Sequence, residues 1–88
     1  MIDLRRVKVT GKMLLDWQKH TGKDPLSSTD FTIEDILYAY YLMAKSIHKD
    51  ITPEQAYDDI KSSEIIEVMK AFFPALATPP DILKSLPK

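Results

Sequence analysis

The segment Phe31 to Ile47, "FTIEDILYAYYLMAKSI", constrains the fold more than any other part of the chain. Its apolar residues recur at the three- and four-residue steps of one helix face, with Ile33, Ile36, Leu37, Tyr40, Met43, Ala44 and Ile47 forming a broad stripe. Tyr38, Tyr41 and Leu42 widen that stripe until only Glu34, Asp35, Lys45 and Ser46 are plainly polar. A helix that is apolar nearly all round lies at the centre of a bundle or packs against something outside its own domain. A chain of 88 residues builds one modest core, so the other elements must be laid against this segment.

Start and stop signals supply those elements. Thr10 caps a first helix in which Met13, Leu14, Trp17 and Thr21 share a face, and Gly22 ends it. "KDPLSSTD" is a connecting loop, after which the apolar helix starts at Asp30 or Thr32; from Thr32, Asp35 stands in the slot of a capping box. Thr52, Pro53, Glu54 and Gln55 make the strongest local signal, a capped third helix with proline in its first turn. Its Ala56, Tyr57 and Ile60 are expected to press on the helix from Thr32 to Ile47. Ser62 or Ser63 caps a fourth helix with Glu64 in its first turn, a stripe of Ile65, Ile66, Val68, Met69, Phe72 and Phe73, and a stop at Pro74. Residues 2–9 leave a short strand over Val7 to Val9 or a helical lead-in open, because Ile2 and Leu4 are out of phase with Val7 and Val9. The last fifteen residues carry four prolines; Ile82, Leu83 and Leu86 make at most one turn, which docks or is disordered. The expected fold is all-α, a small single-domain bundle of four main helices over residues 1–75, with a proline-rich tail over 76–88.

Composition excludes several classes. There is no cysteine, so disulfides and thiolate metal sites are ruled out. Twelve basic against thirteen acidic residues give a net charge of −1 and no overall field for a polyanion. The one basic cluster, Arg5, Arg6, Lys8 and Lys12, lacks interleaved aromatics and reads as a solvated end; its functional alternative is a small helical nucleic-acid-binding regulator. No apolar run reaches the length of a signal peptide core or a membrane span, so a cytoplasmic location is expected.

Catalytic chemistry finds few residues to use. Asp58 and Asp59 are adjacent on a helix and point about 100° apart, so they do not converge as a paired-carboxylate mechanism needs. Their plain reading is a wet helix face. His48-x-Asp50 near Glu54 lacks a second histidine, and His20 and His48 fit the last turns of their helices, where the dipole favours a partly positive ring. No nucleophile elbow, HExxH or glycine-rich phosphate loop is present, so no catalytic, cofactor-binding or metal-ligating residue is assigned and enzymatic activity is not expected. Trp17 is a core anchor. Phe72 and Phe73 are expected mainly inside, with one of them reaching the domain's edge as a protein contact. Tyr38 and Tyr41 fall on the less apolar side of the central helix, where amphipathic aromatics serve protein interfaces, with partial burial under a loop or the tail as the alternative.

The order of elements, a first helix ending in "HTGKD", a polar loop, the apolar helix, "ITPEQAYDDI" and a final amphipathic helix, resembles the small tail assembly chaperones of long-tailed bacteriophages. Thr52, Glu54, Ala56 and Ile60 fit that family's T-x-E-x-A-x-x-x-I pattern, and the likeness covers roughly residues 10–70. The resemblance implies a helical, non-enzymatic protein of the host cytoplasm that binds the tape measure protein during tail assembly. It further implies the tail tube protein as a second partner, self-association, and a longer product made by frameshifting. It fixes no binding residue.

Overall fold

Three threonines start three helices. The structure, a computed structural model, describes residues 1–27 and 30–73. Thr10 accepts from the Met13 N–H and opens α1, Gly11–Thr21, which closes at Gly22 in the left-handed conformation (φ 74°), where a glycine carries no Cβ penalty. Thr32 opens α2, Ile33–Ile47: its hydroxyl accepts from the Asp35 N–H at 3.2 Å while the Asp35 carboxylate accepts from the Thr32 N–H at 3.0 Å. Thr52 and Gln55 exchange the same pair of bonds at 3.2 and 3.0 Å and open α3, Pro53–Asp59, with Pro53 in the first turn. Each box satisfies two backbone groups that a bare helix end leaves unpaired.

The fourth start differs from expectation. Neither Ser62 nor Ser63 caps; a 3-10 turn over Ser62–Glu64 precedes α4, Ile65–Phe72, and Glu64 reaches back to accept from the Lys61 N–H at 2.8 Å. The carboxylate satisfies the Lys61 N–H at the start of the turn, while no serine hydroxyl accepts from a backbone N–H there. No strand occurs among the described residues. The N-terminal segment instead carries a 3-10 turn at Leu4–Arg6, and this resolves its phase: Ile2 and Leu4 alternate as extended chain, one three-residue turn carries Leu4 to Val7, and Val7 and Val9 alternate again. All four pack onto the core. Ser28, Thr29, the stop at Pro74 and the tail over 76–88 lie outside the described residues.

The result is an all-α arrangement of four helices with α2 at its centre, packed by α1, α3 and α4. Ile36, Ala39, Tyr40, Leu42, Met43 and Ala44 of α2 are buried against Trp17, Ala56, Val68, Phe72 and Phe73. The expected stripe is therefore rotated. Ile33 is 61% exposed and Ile47 also reaches solvent, since each sits at an end of α2 where coverage stops, and Leu42 turns inward. On α4, Ile66 is 63% exposed; it stands two residues before buried Val68, about 160° round the helix.

One end of the core is aromatic. Trp17 meets Phe31 and Phe73 edge-on at 5.7 and 5.0 Å, Phe31 stacks on Phe73 at 4.4 Å, and Phe72 meets Phe73 edge-on at 5.1 Å. Such geometries suit ring quadrupoles and add to the burial of large apolar area. The indole N–H, fully buried, donates to the Asp35 carbonyl at 2.7 Å, so its burial leaves no unpaired donor.

Candidate functional site

Of the residues expected to touch a partner, the structure separates two pairs. Phe72 and Phe73 are both wholly buried: Phe72 ends α4 facing α2, and Phe73, where the helix stops, turns inward onto Trp17 and Phe31. Neither ring offers surface. Tyr38 and Tyr41 are half-buried on the side of α2 opposite Ile36 and Met43, with rings 5.6 Å apart.

Around those two tyrosines a larger aromatic face assembles from three helices. His20, in the last turn of α1, stacks flat on Tyr38 with centroids 3.7 Å apart and planes within 4°. Its Nε2 lies 3.8 Å from the Glu34 carboxylate, one turn before Tyr38 on α2. Lys45 sits over the Tyr41 ring at 5.8 Å, an attraction between cation and ring face. Tyr57 of α3 is half-buried and close enough to Tyr38 and Tyr41 to feel their charge. Burial pushes the Tyr57 phenol above its usual range, and Glu34, Tyr38 and Tyr41 add to the shift. Burial likewise raises Tyr38, helped by Tyr41 and Asp16. The raised Tyr38 and Tyr57 phenols stay neutral, so the face offers ring surface and hydroxyl groups. The i, i+3 and i, i+4 steps made Tyr38 and Tyr41 readable together; His20 and Tyr57 join through tertiary packing, for which the sequence carries no local signal.

The acidic pair of α3 divides. Both are exposed, but Asp59 also accepts from the buried Tyr40 hydroxyl at 2.5 Å and lies 3.5 Å from the Met1 amine. The Ile2 N–H donates to the same Tyr40 oxygen at 3.0 Å. The Tyr40 bond holds the Asp59 carboxyl below the usual range, assisted by the amine against a smaller opposing effect of burial. Burial, with the Asp59 bond, pushes Tyr40 up to about 12. Both aspartates lie on the exposed side of α3, as the wet-face reading expects, and Asp59 serves in addition as a structural acceptor. A shallow concavity of 670 Å³ borders it, lined by His48, Lys49, Asp50, Ile51, Gln55 and Asp59. Among the described residues no group of three His, Asp or Glu side chains is placed to hold a metal ion.

A second polar knot ties α1 to α2. Asp35 is buried, although its sequence neighbours read as the polar edge of α2. Lys23, just past α1, donates to its carboxylate at 2.6 Å and to the Asp30 carbonyl at 2.7 Å. Burial pushes the Asp35 carboxyl up, but the Lys23 and Thr32 hydrogen bonds together outweigh it and hold the group below the usual range. In the basic N-terminal cluster Arg5 pairs with Asp3 at 3.2 Å and Lys12 with Asp16 at 3.3 Å, so two of the four cations face a carboxylate.

No helix among the described residues is long and apolar enough to cross a membrane. Comparison of the chain with protein-family models, with curated proteins and with solved structures finds no match. The class defined by fold and face together is a small all-α bundle with an aromatic outer surface on its central helix.

Proposed function

We propose that the chain is a non-enzymatic protein-binding domain of the tail assembly chaperone kind, holding a tape measure protein in the cytoplasm of a phage-infected cell while the tail is built. The observation that carries this reading is the face formed by His20, Tyr38, Tyr41 and Tyr57. Half-buried tyrosines combine a large contact area with few rotatable bonds, and tyrosine is enriched at protein interfaces. A helical client lays its apolar side against such a surface through anchors at i, i+3, i+4 and i+7. The likeness of Thr52, Glu54, Ala56 and Ile60 to the family pattern supplies the identity of the client.

The test is co-expression with a tape measure protein. The wild-type chain keeps it soluble and co-purifies with it, whereas Tyr38→Ala plus Tyr41→Ala loses both effects with helical circular dichroism unchanged. A double variant that binds as well as wild type overturns the assignment of the face. A salt-dependent shift of duplex DNA, lost on neutralising Arg5, Arg6, Lys8 and Lys12, would replace the chaperone reading with the nucleic-acid one.

A further inference from the structure

On the side of α1 away from the tyrosine face lies a small groove of 280 Å³. Gly11, Leu14, Leu15 and Gln18 recur along one side of the helix at three- and four-residue steps, and Pro25 and Leu26 of the following loop close it. Gln18 stands about 160° round α1 from His20, so the groove opens away from Tyr38 and Tyr41. Leu15 is 47% and Leu26 59% exposed. Single exposed leucines are ordinary, but two at the rim of an apolar hollow mark a surface that something else covers. The turn that presents Leu26 is held in place, since the Asp24 carboxylate accepts from the Leu26 N–H at 2.9 Å. A side chain at Gly11 would meet no atom within 4 Å, so that end of the groove has room.

We infer that residues 82–86 of the same chain seat in this groove. Ile82, Leu83 and Leu86 fall at i, i+1 and i+4, one apolar side of a single helical turn, and a turn that short needs a surface to order it. The groove lies close to where the described chain ends: Phe73 has its ring 5.0 Å from Trp17, and Leu14 is one turn before Trp17 on α1. Those steps put the groove on the order of 15 Å from Phe73. The eight residues 74–81 between Phe73 and Ile82 span up to about 28 Å as a polyproline-type strand, nearly twice the distance needed. A tether that short holds the segment at a local concentration in the millimolar range, so a contact too weak for a free peptide suffices within one chain. The charges agree as well. Lys84 and Lys88 outnumber Asp81 in the segment, and the charged residue at the groove is Asp24. A second copy supplies the same segment only in proportion to its concentration, which separates the two occupants. The inference does not depend on what the tyrosine face binds.

Nitrogen relaxation and methyl NOEs of the full chain test it. In wild type the amides of residues 82–86 show order parameters near the rigid-backbone value of about 0.85, and the Ile82 and Leu86 methyls give NOEs to those of Leu15 and Leu26. Leu15→Lys plus Leu26→Lys, both at exposed positions, lowers those order parameters below about 0.6 while the amide shifts of α2, α3 and α4 stay in place. Ile82→Asp plus Leu86→Asp gives the same loss and moves resonances at Leu14, Leu15 and Leu26 without moving those of Tyr38 and Tyr41. Gly11→Leu, which fills the open end of the groove without adding charge, releases the segment too and serves where the lysines disturb α1. Order parameters below about 0.6 at residues 82–86 in wild type, or a segment that stays ordered in all three variants, overturn the inference. NOEs between differently labelled chains in a mixed sample, fading on dilution, overturn it in favour of a second copy as the occupant.

Discussion

The Tyr40 hydroxyl lies 2.5 Å from the Asp59 carboxylate and joins the middle of α2 to the last residue of α3. The hydroxyl also accepts from the Ile2 N–H, so one buried oxygen fastens the N-terminal segment and two helices. Tyr40→Phe removes the link and leaves the Ile2 N–H without its acceptor, at an expected cost of about 1–3 kcal/mol in urea unfolding. Asp59→Ala is expected to cost about 1 kcal/mol or more, and Asp58→Ala to stay within about 0.5 kcal/mol. Equal losses at the two aspartates would refute the division of labour drawn between them.

Stability should fall at both ends of the pH scale, for different residues. Asp35 and Asp59 hold folded pKa values below the ordinary carboxylate value of about 3.9. In the window between the lowered and ordinary values the folded chain binds fewer protons than the unfolded one, so stability rises with pH there. Their contribution is complete above about pH 5 and is lost as pH falls through the folded values. Tyr40 has the opposite sign: raised to about 12, it stabilises fully below about pH 10 and loses that contribution as pH climbs toward its folded value. Urea midpoints across pH should show both limbs, with Asp59→Asn shrinking the acid limb, and Tyr40→Phe shrinking the alkaline limb and, by removing the bond that lowers Asp59, part of the acid one.

Phe73 and Ile66 test which side of α4 faces the core. Phe73→Ala empties space beside Trp17 and Phe31 and is expected to cost about 3–5 kcal/mol. Ile66→Ala, on the exposed side, is expected to change stability by no more than about 0.5 kcal/mol. Loss of near-ultraviolet dichroism from Trp17 should accompany the first substitution and not the second.

The contrast between these residues marks what the sequence could convey. Thr32 with Asp35 and Thr52 with Gln55 were legible because a capping box is closed within four residues. Ile66 misled because helical spacing orders residues around an axis without saying which arc the neighbouring helices cover, and Ile33 because spacing does not say where along α2 that cover stops. Asp59 was read as wet, and it is exposed, but its bonds to Tyr40 and Met1 were not legible because those partners lie 19 and 58 residues away and no local rule reaches that far. Tyr38 and Tyr41 were legible as a pair on one helix; the stacking of His20 on Tyr38 depended on how α1 lies beside α2. Residues 2–9 failed a single-period reading since one 3-10 turn changes the phase within them.

Lys23 and Asp35 offer the sharpest test of the polar knot between α1 and α2. The Asp35 side chain is 11% exposed, and its carboxylate has two donors, the Lys23 ammonium and the Thr32 N–H. Lys23→Met keeps an aliphatic stem but leaves the buried carboxylate with the backbone donor alone, at an expected cost of about 2 kcal/mol. Asp35→Asn retains an oxygen for the Thr32 N–H and removes the charge that Lys23 matches, so it is expected to cost less than Lys23→Met. The double variant tells the two effects apart: with both charges gone no ion is left buried, and its stability should exceed the sum of the single losses by about 1 kcal/mol in a double-mutant cycle. Strict additivity in urea unfolding would mean that the 2.6 Å contact contributes nothing beyond its geometry.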